Sequence, residues 1–234
     1  MEGLTAYIRE NAPKPTEPST RSQTTDQPAE VTNKVAKRWL LGAPADIQAI
    51  LDVLRRREED RAPEERRCPL DLRRIDLRGA NLLEVNLLEV NLREANLADT
   101  ELEDANLQLA NLSNADLGRA RFSYADIQGT NLQGAYLPKA YLLYAQLNGA
   151  DLRGAFLYEA NFHSADLEGA NLEGAEFLQA DFEGADLKGA ILRGADLRYA
   201  LSLTQEQIEE AIGDKKTKLP EDLTRPESWT ESSE

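Results

Sequence analysis

The hydrophobic residues of this chain recur every five positions over more than half of its length. From Leu72 to Leu197 every fifth residue is Leu, Phe or Ile, and these 26 positions hold 21 Leu, four Phe and Ile127. Two residues before each of them lies a second small or apolar side chain, which is Ala in 20 of the 26 cases. Asn or Asp lies between the two in 18 cases. The pattern is that of a five-residue unit repeated without interruption.

A period of five residues fits neither an α-helix nor a β-strand. In a helix, five residues rotate by about 500°, so the leucines would be spread around the whole circumference. In a strand, side chains alternate between the two faces, so an odd period would send neighbouring leucines to opposite sides. Units that repeat at a fixed period bury their apolar side chains by stacking in a solenoid. The pattern predicts a coil that turns a corner once per unit and points every leucine at a common axis.

Individual units resemble a known family. Residues 165–174 read Ala-Asp-Leu-Glu-Gly and Ala-Asn-Leu-Glu-Gly, which resembles the A(D/N)LXX motif of pentapeptide-repeat proteins, and the resemblance covers residues 70–199. It implies an all-β solenoid, a right-handed quadrilateral β-helix with one unit per side, 20 residues per coil and about 6.5 coils for 26 units. It also implies that the central Leu or Phe and the preceding Ala point inward. Residues 20 apart are expected to stack in columns, as in the ladder Asn91, Asn111, Asn131, Asp151 and Asn171, whose side-chain amides can hydrogen-bond between coils.

The segment before the repeat divides into two parts. Residues 1–35 are rich in Pro, Ser and Thr and are predicted to be a disordered tail. Residues 36–69 are predicted to be an N-terminal helical cap, because apolar residues from Ile47 to Leu54 follow the spacing of an amphipathic helix. This helix is expected from about Pro44 to Arg57. Its basic end at residues 55–57 is interpreted as a solvated helix terminus, with a nucleic-acid patch as the alternative.

Residues 200–234 are predicted to form a C-terminal helix and a strap. Thr204 and Gln207 have the spacing of a capping box, and Gly213 is expected to end the helix. Trp229 lies among Leu and Pro residues that can fold back onto the last coil. An open end of a β-helix exposes unpaired backbone groups and core leucines. Both flanking segments are therefore interpreted as short α-helical caps that prevent end-to-end polymerisation.

The sequence offers few residues for catalysis or metal binding. Its one histidine, His163, occupies an outward position, and Cys68 is its one cysteine. A general base needs a nucleophile and an orienting partner in a cleft, and zinc sites need several Cys or His ligands. The recurring glycines lie in no strand–loop–helix context that would bind phosphate. We therefore expect no enzyme, no catalytic residues, no cofactor and no metal.

The composition indicates the class and compartment of the protein. The chain has 234 residues and a net charge of −15, which fits one acidic solenoid domain with appendages. No stretch reaches the roughly 20 apolar residues of a membrane span, and the first ten residues lack the features of a secretory signal. A single cysteine fits a reducing compartment. We expect a bacterial-type cytoplasmic protein, a monomer or weak dimer, that does not bind membranes.

The charge is unevenly distributed around the predicted solenoid. Units 20 residues apart share a face, named here by its first leucine, and the adjacent Leu82 and Leu87 faces carry −5 and −4. The Leu72 and Leu77 faces carry +1 and −2. Some pentapeptide-repeat proteins protect DNA gyrase from quinolones by resembling duplex DNA. That resemblance implies an acidic surface for a DNA-binding groove, formed here by Glu101, Glu103, Asp126, Asp166, Glu168, Asp181 and Asp186.

Outward aromatic residues provide a second candidate surface. Tyr136, Phe156 and Tyr158 lie on the Leu77 face, and Tyr141 and Tyr144 lie on the Leu82 face. Grouped aromatic residues are typical of interface cores, although Tyr and Phe also fit β ladders well. We predict a non-enzymatic scaffold that mediates protein–protein interaction through these five residues, with an unknown protein partner and no direct nucleic-acid binding. The alternative is a DNA-mimicking modulator of DNA gyrase or another topoisomerase.

Overall fold

The computed structural model of the protein describes residues 70–230, and the repeat forms a solenoid. Parallel bridges join residues 20 apart in 23 cases, from Asp71–Asn91 to Asp181–Leu201. Four five-residue units therefore make one turn of the solenoid. The predicted tail at residues 1–35 and the predicted helical cap at residues 36–69 lie outside the described residues.

Backbone hydrogen bonds between neighbouring coils hold the solenoid together. If the central residue of a unit is i, the N–H of i donates to the carbonyl of i+19 and the N–H of i+2 to that of i+21. For the unit of Leu92 these acceptors are Asn111 at 2.7 Å and Ser113 at 3.0 Å. The N–H of i−1 donates backwards, here to Leu70 at 2.9 Å. Each unit forms only single bridges, but these bridges stabilise the solenoid because every unit pairs both with the preceding coil and with the following coil.

The axis of the solenoid is filled by the central side chains. In all 26 units these side chains are at most 1% exposed, which confirms the predicted register. Phe162 and Phe182 stack one coil apart, as predicted, with ring centroids 5.1 Å apart and planes 7° apart. Phe177 contacts both rings edge-on, at 6.1 and 5.2 Å. Burying a side chain of this size contributes about 1.5–3 kcal/mol, so the axis is the main source of stability.

Each corner of the coil is a tight turn. The N–H of the residue after the turn donates to the carbonyl of the central residue, as from Ala95 to Leu92 at 3.0 Å. The last turn residue has a positive φ in 25 of the 26 units, and ten of those residues are Gly, as the sequence predicts. A positive φ at this position is characteristic of type II turns, which favour Gly because it lacks a Cβ.

The Asn and Asp side chains stabilise these turns. In all 18 units that contain one, its Oδ1 accepts a hydrogen bond from the backbone N–H two residues later, at 2.8–3.4 Å. Asn91, Asn111 and Asn131 stack in successive coils as predicted, but their side chains do not form the suggested hydrogen bonds to one another. Their Oδ1 atoms bond within their own units, because the first turn amide of each unit finds no backbone acceptor in the ladder.

One α-helix follows the last regular coil. Helix α1 spans Gln205–Glu210, and Thr204 and Gln207 form the predicted capping box. The Thr204 N–H donates to Gln207 Oε1 at 2.8 Å, and the Gln207 N–H donates to Thr204 Oγ1 at 3.3 Å. The helix ends at Glu210, before the expected Gly213. It ends early because Ala211 is extended and the next residue pairs again with the last coil.

The chain then continues the bridge pattern with irregular spacing. Ile212 pairs with Ile191, and Lys218 pairs with Asp196. In this register Gly213 occupies the position of a central leucine, and a Cβ on it would lie 2.3 Å from the ring of Trp229. Trp229 ends a 3₁₀ helix, Glu227–Trp229, and is 3% exposed. Its ring therefore occupies the space that a central side chain fills in the regular coils.

Candidate interaction surfaces

Three side chains of every unit face outward. The residue before the central one lies in the middle of a side, and the two turn residues lie at the following corner. Residues 20 apart occupy the same position in successive coils, and such a set is called a column here. The coil spacing is that of paired strands, about 4.8 Å, so side chains in one column are within reach of one another.

Three of the five predicted aromatic residues contact one another on the Leu77 face. The ring of Phe156 lies 6.4 Å from that of Tyr136 and 6.1 Å from that of Tyr158. Tyr136 is 47% exposed and Phe156 37%. The hydroxyl of Tyr158 donates to Glu176, and this hydrogen bond raises the pKa of Tyr158 to about 12. These residues are called the Tyr136 cluster, and its orientation is fixed at one end by a carboxylate.

Tyr144 belongs to a different group of rings at the corner after the Leu82 face. It stacks on Tyr124, with centroids 5.0 Å apart and planes 7° apart. The ring of His163 meets Tyr144 edge-on at 5.7 Å. We call these three residues the Tyr144 cluster. Sequence reasoning missed Tyr124, although it precedes Tyr144 by one full coil and the 20-residue register alone identifies the pair.

Tyr141 lies in the middle of the Leu82 face and contacts a cation. The guanidinium of Arg121 lies 5.7 Å from the centroid of its ring. Between Tyr141 and the Tyr136 cluster, Lys139 and Glu159 form an ion pair at 3.2 Å on the intervening corner. The five predicted aromatic residues are thus divided among two ring clusters and one tyrosine that contacts an arginine.

An exposed leucine adjoins the Tyr136 cluster. Leu178 is 46% exposed and shares a column with Tyr158, one coil further along. Sequence reasoning that considered only outward aromatic residues missed it. The apolar surface on this side therefore continues toward the C-terminal end of the solenoid.

The seven predicted acidic residues lie on the two adjacent faces, but several are already engaged. On the Leu87 face, Asp166 and Asp186 are bridge partners in neighbouring coils. Glu168 pairs with Lys188 at 3.7 Å on the same face. The remaining four also have polar partners: Asp126 and Asp181 accept turn amides, Glu101 accepts from Asn81, and Glu103 pairs with Arg121.

Neither a membrane helix nor a metal site is found in residues 70–230. No helix of this part is long and apolar enough to cross a membrane. No three His, Cys, Asp or Glu side chains of this part are grouped to hold a metal ion.

Comparison with known proteins identifies the repeat. The family model for pentapeptide repeats matches eight copies, at residues 71–108, 100–137, 140–177 and 160–198. The chain belongs to the pentapeptide-repeat family. The matched residues make up more than half of the chain and coincide with the regular coils. No curated protein sequence matches the chain.

Several solved structures of pentapeptide-repeat proteins are similar to this chain. Full-length QnrB1, a plasmid-mediated fluoroquinolone resistance protein, is 19% identical over 68% of this chain and 92% of its own, with a TM-score of 0.37. HetL of Nostoc sp. strain PCC 7120, involved in heterocyst differentiation regulation, is 26% identical over 68% and 90%, with a TM-score of 0.27. Rfr23 of Cyanothece 51142 is 23% identical over 72% and 99%, with a TM-score of 0.33.

Proposed function

We propose that the protein is a non-enzymatic scaffold that binds a protein partner through the outward aromatic surface of its solenoid. The Tyr136 cluster carries this proposal, because Tyr136, Phe156 and Tyr158 place three contacting rings on the surface. Exposed aromatic side chains offer a large contact area at a small cost in conformational entropy, and they are enriched among residues that dominate binding energies.

The backbone beneath the cluster supports this function. Tyr136 and Phe156 are bridge partners, and their coils are joined by hydrogen bonds of 2.8–3.0 Å. The backbone that carries the rings is therefore fixed before a partner arrives, which lowers the entropic cost of binding. His163 contacts Tyr144 and lies 3.5 Å from Glu183, and among residues 70–230 its ring forms no hydrogen bond with a Ser, Thr or Tyr hydroxyl that could serve as a nucleophile.

The experiment compares capture of a partner by three versions of the full chain. Wild type, the triple variant Tyr136→Ser/Phe156→Ser/Tyr158→Ser, and the control Leu109→Ser are immobilised and exposed to an extract of cells that express the protein. Leu109 is 60% exposed at another corner, so its replacement removes apolar surface elsewhere. We expect wild type and control to retain the same partner and the triple variant to lose it. The circular dichroism spectrum of the triple variant should match that of wild type, because none of the three side chains points to the axis. Equal capture by all three would contradict the proposal.

DNA mimicry toward DNA gyrase is the second candidate function. It is favoured by the consecutive carboxylates of Asp166 and Asp186 on a face with a net charge of −4. The test is gyrase supercoiling with wild type and the variant Asp126→Asn/Asp166→Asn/Asp186→Asn. Asn keeps the Oδ1 that accepts the turn amide, so the variant removes charge and leaves the turns intact. Inhibition by wild type that weakens with salt and with this variant would support mimicry, and no inhibition at micromolar protein would exclude it.

We further propose a right-handed solenoid of about 6.5 coils whose C-terminal end is capped by the segment from residue 200 onward. The side chain of Gln207 supports this role, because it donates to the carbonyls of Phe182 and Ala185 at 3.0 and 2.8 Å. Thr217 Oγ1 donates to the carbonyl of Leu192 at 2.8 Å. These side chains satisfy carbonyl groups of the last regular coil at its outer edge.

A further inference from the structure

We propose that the corner between the Leu82 and Leu87 faces binds an arginine-bearing basic segment of a partner protein. The inference rests on the proposed scaffold function and names the chemistry of the partner on a second surface, which the Leu82 face separates from the Tyr136 cluster. Its residues form one column, Glu84, Asp104, Tyr124 and Tyr144, in which two carboxylates are followed by two rings.

The column has a regular geometry. Its four residues are the last turn residues of successive coils, with φ of 56°, 56°, 61° and 55°, and all four are exposed. Ten other units place Gly at this position, where a side chain is sterically disfavoured. Tyr124 and Tyr144 therefore hold large rings at a backbone position that disfavours them, with 57% and 45% of their surface still exposed.

The stacked tyrosines present an aromatic face to the carboxylates. Tyr144 covers one face of Tyr124 from the next coil, so the other face is turned toward the coil of Asp104. The face of an aromatic ring attracts cations because of its quadrupole. A cation placed there would contact a ring on one side and a carboxylate on the other.

The surrounding charge favours a cationic ligand. Within residues 70–230 neither Glu84 nor Asp104 forms an ion pair. The adjoining faces carry −5 and −4, and Arg121, the one base of the Leu82 face, already contacts Glu103 and Tyr141. A basic segment is therefore complementary to this corner in charge.

Arginine suits the corner better than lysine. Its planar guanidinium stacks on rings and forms paired hydrogen bonds with carboxylates. The solenoid already contains such contacts, with Arg121 at 5.7 Å from the ring of Tyr141 and Arg198 at 6.0 Å from that of Tyr199. In the Arg121 contact the same guanidinium also pairs with Glu103. The proposed site would repeat this arrangement with an arginine from outside the chain.

The length of the column sets the spacing of the ligand. Glu84 and Tyr124 lie two coils apart, or about 10 Å at a coil spacing of about 4.8 Å. An extended peptide covers that distance with about three residues. Two arginines three positions apart would place one guanidinium against Tyr124 and the other near Glu84.

The test measures fluorescence anisotropy of a labelled Gly-Ser peptide that carries two arginines three positions apart, titrated with the full chain. The ring variant is Tyr124→Asn/Tyr144→Asn, because Asn tolerates a positive φ. The acid variant is Glu84→Gln/Asp104→Asn, and the control Glu94→Gln/Glu173→Gln removes the same charge from the Leu72 face. We expect the Kd to rise at least tenfold for the ring and acid variants and to stay within twofold for the control. We expect severalfold weaker binding when both arginines are lysines.

Three results would overturn the inference. The first is that the wild-type chain does not saturate the labelled peptide, the second is that the control weakens binding as much as the acid variant, and the third is that the ring variant binds as wild type does. The second result would indicate general attraction to an acidic surface, and the third would leave the rings without a role. The Ser variant of the Tyr136 cluster separates this inference from the proposed function. That variant is expected to bind the peptide normally while losing the captured partner, so either can fail alone.

Discussion

At the scale of single residues, the corners of this solenoid depend on a side-chain hydrogen bond. The first turn amide of a unit has no acceptor in the ladder between coils, and the Oδ1 of the preceding Asn or Asp supplies one. Asn and Asp are therefore interchangeable at this position as far as the turn is concerned. The choice between them sets the charge of the surface independently of the fold.

Replacement of Asn131 tests this interpretation. Asn131→Ala removes the 3.0 Å bond from the Gln133 N–H and should lower the free energy of unfolding by about 1 kcal/mol. Asn131→Asp retains the acceptor and should cost less. Urea unfolding of both variants beside wild type measures the difference. Equal stability of the Ala variant and wild type would show that water accepts the hydrogen bond from the Gln133 N–H equally well.

Asp196 should make stability depend on pH. Hydrogen bonds from Arg198, and then from Lys218, hold the pKa of Asp196 well below its usual range. A carboxyl group with a lower pKa in the folded state contributes stability above its unfolded pKa, near 4, and loses that contribution as the pH falls further. Asp196→Asn should therefore lower stability at pH 7 by up to about 1 kcal/mol, because the pair is partly exposed.

The measurement compares urea midpoints of wild type and Asp196→Asn at pH 7 and pH 3. Asn still accepts from the Arg198 amide, so the comparison isolates the charge. The gap between the two proteins should narrow at pH 3. A gap that is the same at both pH values would mean that the ion pairs contribute nothing.

At this scale, features that depend on the local repeat could be predicted from the sequence, and features that depend on contacts between coils could not. The inward position of Leu147 or Phe162 follows from the strict five-residue period, without knowledge of which residues surround it. The 20-residue register also places Tyr136 and Phe156 on one face and Tyr141 on the next. Which of these rings contact one another depends on the direction of each side chain, which the spacing does not give. Tyr124 was missed because its significance comes from Tyr144 a coil away.

At the scale of elements, the C-terminal segment behaves as an imperfect last coil. Ile212 and Lys218 resume the bridge pattern, while Trp229 fills the axis from a position later in the chain. The capping box of α1 was predictable because it is a local pattern. The role of Gly213 was not, because Gly also marks helix ends, and its actual neighbour lies 16 residues further along.

A single methyl group at Gly213 should displace the tryptophan. In Gly213→Ala the Cβ would lie 2.3 Å from the ring of Trp229, so the ring must move. In a Trp39→Phe background, which leaves Trp229 as the one tryptophan, we expect a red-shifted emission and a lower unfolding midpoint. The control is Gly118→Ala, whose Cβ would meet its neighbours at 3.4 Å or more. Unchanged emission from Gly213→Ala would contradict the packing described.

At the scale of the whole solenoid, the C-terminal segment is expected to keep the protein from associating. Deletion of residues 200–234 would expose Leu192, Leu197 and the outer carbonyl groups of the last coil, which Gln207 and Thr217 now satisfy. Exposed edges of this kind pair with other chains. Light scattering should show larger particles for this deletion, while deletion of residues 231–234 should leave the particle size unchanged. Monodisperse behaviour of both would contradict the capping role.

The 20-residue register also constrains how a gene for such a protein can change in length. A duplication of 60 base pairs within the repeat adds one coil and leaves every later side chain on its original face. A duplication of 15 base pairs keeps the axis filled yet rotates all later units by a quarter turn, which would separate Tyr124 from Tyr144 if it fell between them. Variants that duplicate residues 125–129 or residues 110–129 directly after residue 129 should both fold. The second duplication copies Tyr124 into the added coil, so a ring still stacks on Tyr124, and we expect only this variant to retain peptide binding at the column. Surface function and not folding would then limit small duplications.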